Sequence, residues 1–223
     1  MTSPADAFDR RNSLTYLSLA LGAGALAGAA AGRTGVAGIA IAIAVIADTF
    51  DGRFARRFGN DRRRRALGVE LDSLSDAIAF GITPPLCSIW LLHAEGVVGA
   101  ALWLAAFVHA ACAITRLASF NVDSSVSPKP DGPRAGLAAP KPVGEDRGEG
   151  GFVGIPVPLA ALIWSTALLV QPTAAATAIV IVVTAAAMVM PLRIPRPTGA
   201  GLALFVCWPV AVGLCHLAFA IRH

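Results

Sequence analysis

Seven apolar runs, most of them close to the ~20 residues that a helix needs to cross a bilayer, occupy most of this 223-residue chain. They cover about 14–31, 36–46, 71–92, 97–120, 155–170, 174–190 and 198–221, and the second continues helically through Asp51 toward Arg57. In hydrocarbon a backbone must satisfy its own N–H and C=O groups, so runs of this length are helices. The expectation is an all-α, polytopic integral membrane bundle of about seven transmembrane helices. Six to eight are compatible with the pattern, because Pro209 interrupts the last run. Composition agrees: 56% of residues are hydrophobic, and charged residues are 14%, against ~25% in a soluble domain. Mean hydropathy is +0.67. A disordered chain is excluded, and a soluble globule nearly so. The opening residues are polar and no small-residue cleavage site follows, so no cleavable signal peptide is expected.

The net charge of +4 invites a nucleic-acid reading, but the distribution of charge opposes it. All of the 18 lysines and arginines except Arg33 and Arg222 fall on one side of the expected topology. The positive-inside rule then puts the N-terminus and the 52–70 and 121–150 segments in the cytoplasm; the expected membrane is the plasma membrane, on the assumption of a prokaryote. Only the run Arg62 to Arg65 comes near a continuous basic face; it can attract anionic lipid headgroups, hold its segment on the cytoplasmic side, or do both. No nucleic-acid partner is expected. The chain reads as one membrane-embedded domain, 1–223. Within it, 121–150 is a Pro-, Gly- and charge-rich segment expected to be a mobile cytoplasmic loop. Cys87, Cys112, Cys207 and Cys215 lie in apolar runs without metal spacing and read as packing residues. His93, His109, His216 and His223 pair with nothing at ligand spacing and read as packing or surface residues. Gly24, Gly28 and Gly32 recur at four-residue spacing, which permits close helix approach within one chain or between two.

Four aspartates break the apolar pattern. Asp48 and Asp51 close one apolar helix, and Asp72 and Asp76 open the next. Spacings of i,i+3 and i,i+4 put each pair on one helix face. Each charge in the membrane costs at least ~2.5–3.5 kcal/mol on insertion scales, and intramembrane acids are usually functional. Carboxylate oxygens are the preferred ligands of hard divalent cations, so four of them on two helices suffice for two cations. Such a pair can clamp phosphate oxygens during an in-line displacement. Gly52 and Ala55 lack bulk on the same face, so a large ligand can approach the backbone there. Arg56 adds a planar cation suited to phosphate. Acids, small residues and arginine together describe a site for a nucleotide pyrophosphate. The alternative reading, a cation transporter with the aspartates as relay, gives Gly52, Ala55 and Arg56 no task.

The stretch from Asp48 to Arg56, D-x-x-D-G-x-x-A-R, followed from Gly68 by G-x-x-x-D-x-x-x-D, resembles the signature of the CDP-alcohol phosphotransferases. One departure is the eleven residues between Arg56 and Gly68, more than the family usually has, with the surplus in the Arg62–Arg65 run. The sequence GVELDSLSDAIAFGITPP is similar to the phosphatidylserine synthase branch, with Leu67 in place of its usual Phe. Arg116 to Asn121 (RLASFN) resembles that branch's R-L-A-R-F-N, with Ser119 replacing its second Arg. Phe152 to Pro158 (FVGIPVP) resembles its F-x-G-L-P-x-P, and Asn12, Thr15 and Gly22 resemble its N-x-x-T opening.

The resemblance implies transfer of a phosphatidyl group from CDP-diacylglycerol to L-serine, giving phosphatidylserine and CMP. It implies two divalent cations, Mg²⁺ or Mn²⁺, on Asp48, Asp51, Asp72 and Asp76, with Asp76 also the base for the serine hydroxyl. Asp51, Gly52, Ala55, Arg56 and Gly68 would line the CDP pocket. Arg116 and Asn121 are the candidates for the serine or lipid-phosphate side. The site would open at the cytoplasmic interface among membrane lipids. Other acceptors, inositol phosphate or glycerol phosphate, remain open, although later spans lack the extra basic cluster a phosphorylated acceptor would call for. The resemblance also implies a homodimer, which no residue pattern here requires.

Overall fold

A computed structural model describes residues 8–58, 62–126, 152–194 and 199–222. Among these residues eight α-helices carry the fold: α1 (Ser13–Ala30), α2 (Thr34–Ala55), α3 (Arg62–Asp76), α4 (Thr83–Leu92), α5 (Gly96–Val126), α6 (Val157–Leu168), α7 (Ala174–Val189) and α8 (Ala200–Arg222). A π-helical segment, Ala77–Ile82, joins α3 and α4 into one rod, so the helices form seven rods. Among the described residues, five rods are long and apolar enough to cross a membrane. The fifth and sixth spans come out shorter, as helices of 12 and 16 residues. Pro156 and Pro158 set the start of α6, and a turn at Gln171, with φ of 46°, separates it from α7.

The rods differ from the sequence reading at three further places. The third rod begins well before position 71, because the Arg62 to Arg65 run is helical. Arginine is a good helix former, so the run extends α3 and does not form a loop. Residues 121–126, read as the start of the mobile loop, continue α5 instead; 127–151 lie outside the described residues. Pro209 lies inside α8, which continues on both sides of it.

The centre of the bundle is α2, which packs on α1, α6 and α8. Lipid tails are as apolar as side chains, so helix association here relies on close packing and on hydrogen bonds between helices. The core is accordingly rich in small residues: Ala25, Ala29, Ala37, Ala40, Ala44, Ala160 and Ala161 are all buried. Of the spaced glycines in α1, only Gly28 marks a close approach, where a Cβ would come within 2.9 Å of Val36. Gly24 meets nothing within 4 Å, and Gly32 ends the helix with φ of +70°. A second close approach lies at Gly22, where a Cβ would fall 3.1 Å from the Ala79 backbone. It brings α1 onto the π segment directly after Asp76.

One end of the bundle gathers several chain segments. A two-residue antiparallel ladder pairs β1 (Phe152–Val153) with β2 (Arg193–Ile194). Gly154 follows with φ of +71° beneath the Met188 carbonyl, where a Cβ would have no room. The FVGIPVP stretch thus ties the start of α6 to the end of α7.

Candidate active site

The C-terminal turns of α2 and the body of α3 bring the two aspartate pairs face to face. Asp48, Asp72 and Asp76 each present a carboxylate oxygen within 4.8 Å of the others. Asp48 lies against Asp76, and Asp51 against Asp72. Asp76 is buried; Asp48, Asp51 and Asp72 are half-buried. Like charges this close repel strongly at low dielectric. Asp72 Oδ1 is buried and has no hydrogen-bond partner among the described residues. An all-carboxylate donor set with an orphaned, buried oxygen fits a hard divalent cation.

The cluster is braced by α1. The Thr15 hydroxyl donates to Asp51 Oδ2 at 3.2 Å, and the Ser75 hydroxyl donates to the Thr15 carbonyl at 3.1 Å. These bonds fix the first span against both acidic helices.

Beside the aspartates lies a cleft of about 180 Å³. Asp51, Gly52, Ala55, Arg56 and Gly68, all read from the sequence as pocket residues, line it together with Asp72. A Cβ at Gly52 would meet nothing within 4 Å, so the missing side chain leaves open space in the cleft. At Gly68 a Cβ would come 3.3 Å from Asn12 Oδ1, so bulk there would press on α1's entry turn. The cleft has further walls that the sequence reading left out of the site: Arg11, Asn12, Thr15 and Arg65. Arg65 was legible in principle, since it precedes Gly68 by three positions and Asp72 by seven and so shares their face. Asn12 and Thr15 enter the sequence reading only through the N-x-x-T resemblance. Arg11 carried no usable signal.

Arg116 and Asn121 do not line this cleft. They reach the acidic helices from α5. The Asn121 amide donates to Ser73 Oγ at 2.9 Å, one residue after Asp72. Arg116 is half-buried and interacts electrostatically with Asp76. The cluster is therefore flanked by a cleft between α1, α2 and α3 and by a polar face contributed by α5. Ser73 belongs to that second face and was not foreseen.

One buried and three half-buried carboxylates, a glycine-walled cleft and its arginines thus lie together at this end of the bundle. The CDP-alcohol phosphatidyltransferase family model matches residues 11–220, and the chain belongs to that family. Among curated proteins it is similar to CDP-diacylglycerol–serine O-phosphatidyltransferases of Mycobacterium bovis, Mycobacterium tuberculosis and Mycobacterium leprae. Each is 36% identical over 110 residues, 49% of this chain. The match spans only about a third of those relatives' length, 36% for the first two and 35% for the third.

Proposed function

We propose that this chain transfers a phosphatidyl group from CDP-diacylglycerol to L-serine, releasing CMP, at the cytoplasmic face of a prokaryotic plasma membrane. The observation that carries the reading is the convergence of Asp48, Asp51, Asp72 and Asp76 next to a cleft walled by Gly52, Ala55, Arg56 and Gly68. The cytidine and its phosphates occupy the cleft, where the absence of side chains at Gly52 and Gly68 admits them to the helix backbones. Arg56 and Arg65 pair with phosphate oxygens there. The acyl chains stay in the bilayer.

The four aspartates hold two divalent cations, Mg²⁺ or Mn²⁺. When bound, these neutralise pyrophosphate charge and favour departure of CMP. Asp76 accepts the proton of the serine hydroxyl. The serine oxygen forms a bond to the lipid-side phosphorus as the bond from that phosphorus to the CMP oxygen breaks. Arg116, beside Asp76, meets the serine carboxylate or the lipid phosphate, and Asn121 orients that face through Ser73. The serine preference is supported by the names of the mycobacterial relatives and by the RLASFN and FVGIPVP stretches. The single domain and its cytoplasmic orientation are part of the same proposal, supported by Arg11, Arg56 and Arg65 around the cleft.

The test is CMP release by purified protein in detergent, with CDP-diacylglycerol and Mn²⁺ or Mg²⁺, across serine, inositol phosphate, glycerol phosphate and no acceptor. Serine-dependent release abolished by a chelator is expected. Release only with a phosphorylated alcohol would overturn the acceptor. No release with any acceptor from folded protein would overturn the reaction.

A further inference from the structure

His109 lies in the middle of α5, fully buried, and has no place in the chemistry above. Its Nδ1 sits 3.0 Å from the carbonyl oxygen of Gly81. A carbonyl only accepts, so Nδ1 carries the proton. Gly81 belongs to the π segment that begins immediately after Asp76. That segment is wider than an α-helix: the N–H of Thr83 reaches back five residues to the Ile78 carbonyl. The next two residues are Pro84 and Pro85, which have no N–H. From Thr83 the rod returns to the α register, in which the donor to the Gly81 carbonyl would be residue 85, so proline there removes it. An unpaired buried carbonyl costs about 1–3 kcal/mol. His109 supplies the missing donor from another helix.

The same helix touches the π segment again one turn on. A Cβ at Gly81 would lie 2.8 Å from Ala113 Cβ, so α5 closes on this glycine at van der Waals distance. Two turns from His109, Arg116 interacts with Asp76. Positions 109, 113 and 116 fall on one helical face. That face grips the rod at the point where its register changes, and the register change sets the rotation of everything before it, starting with Asp76. π segments within α-helices occur frequently at functional sites, and a glycine followed by two prolines gives this one a physical cause.

We infer that His109 is a positioning residue for Asp76: by capping the Gly81 carbonyl that Pro85 leaves without a donor, it holds the π turn that aims the Asp76 carboxylate into the acidic cluster. The inference rests on the role proposed for Asp76. The imidazole is held as the Nδ1–H tautomer, with Nε2 buried and unpartnered among the described residues. The edge of the His109 ring packs against Trp164, with ring centroids 6.1 Å apart.

The test compares H109L, H109N and H109Q. Asparagine places an amide N–H near the position of Nδ1. Glutamine keeps volume and polarity but carries its amide further out. Two readings are taken on folded protein: Mn²⁺ affinity by electron paramagnetic resonance, and kcat and KM of CMP release. H109L is expected to weaken Mn²⁺ binding and lower kcat by between about tenfold and a hundredfold, the scale of a small misplacement of a reacting group. KM for CDP-diacylglycerol is expected to stay near wild type, because the cleft does not touch α5. H109N should recover most of both losses, and H109Q should not. Nitrogen-15 spectra of the labelled histidine should show the proton on Nδ1 and a bare Nε2. If H109L fails to fold, the contrast between H109N and H109Q carries the test. Equal kcat and Mn²⁺ affinity in H109N and H109Q, or a proton on Nε2, overturns the positioning role while leaving the cation site standing. Wild-type protein that binds no Mn²⁺ overturns the cation site itself, and the positioning role with it.

Discussion

The two halves of α2 use glycine in opposite ways. In the half remote from the aspartates, Gly38 is buried under His216, where an added Cβ would collide with the imidazole ring. The space is already filled: His216 Nε2–H donates to the Ser165 carbonyl at 2.8 Å, and the Ser165 hydroxyl donates to the Gly38 carbonyl at 2.9 Å. This knot joins α2, α6 and α8 and fills the space over Gly38. In the other half, Gly52 faces open space between Asp51 and Arg56, and the neighbouring acids lie against each other. One glycine allows a side chain of the same protein to enter; the other keeps a cleft empty. Polar groups in a membrane helix therefore carry two meanings. Those that close on each other lock the bundle, and those left open or in conflict mark chemistry.

Charge removal at the open end should break this contrast most sharply. Asp76→Asn is expected to lower CMP release by roughly 10²–10⁴-fold, the range for losing a general base. In metal-free protein the same change should leave the melting temperature equal or raise it, since it removes like-charge repulsion. A Tm drop comparable to that of a core mutant would show that Asp76 is structural. At the closed end, Gly38→Ala should cost about 2 kcal/mol of stability by overpacking and displacement of His216. Turnover per folded molecule should be unchanged, as thermal unfolding combined with active-site counting would reveal. Gly52→Ala should do the reverse. Filling open space in a helix stabilises by roughly 0.5–1 kcal/mol, while KM for the CDP lipid rises several-fold with kcat nearly constant, the mark of lost uniform binding. Arg65→Gln should give the smallest change, a modest KM increase that shrinks further at high salt, because this cation is exposed at the rim. A large kcat effect at Arg65 would put it at the reacting phosphate instead.

The sequence made the acidic site legible because intramembrane charge is rare and helical spacing is strict. Asp48 with Asp51 and Asp72 with Asp76 could be placed on faces before any coordinates, and the apolar runs located the rods. What stayed hidden depends on contacts between distant segments. Nothing near Gly38 announces that His216 fills it. Arg11 enters the cleft only because α1 packs on α2. The π segment left no periodic signature; its cause, Pro84 and Pro85 after Gly81, becomes readable only once His109 is seen to serve the freed carbonyl. The helicity of Arg62 to Arg65 and the continuation of α5 past position 120 carry no apolar period to read, because the residues there are polar.

In the proposed reaction Asp48, Asp51, Asp72 and Asp76 together hold two divalent cations beside the cleft. Anomalous diffraction at the manganese edge from crystals grown with Mn²⁺ and CDP tests it directly. Two peaks among these four carboxylates, with CDP phosphates against them and the cytidine along Gly52 and Ala55, are predicted. Manganese bound elsewhere, or CDP seated away from the four aspartates, would contradict it.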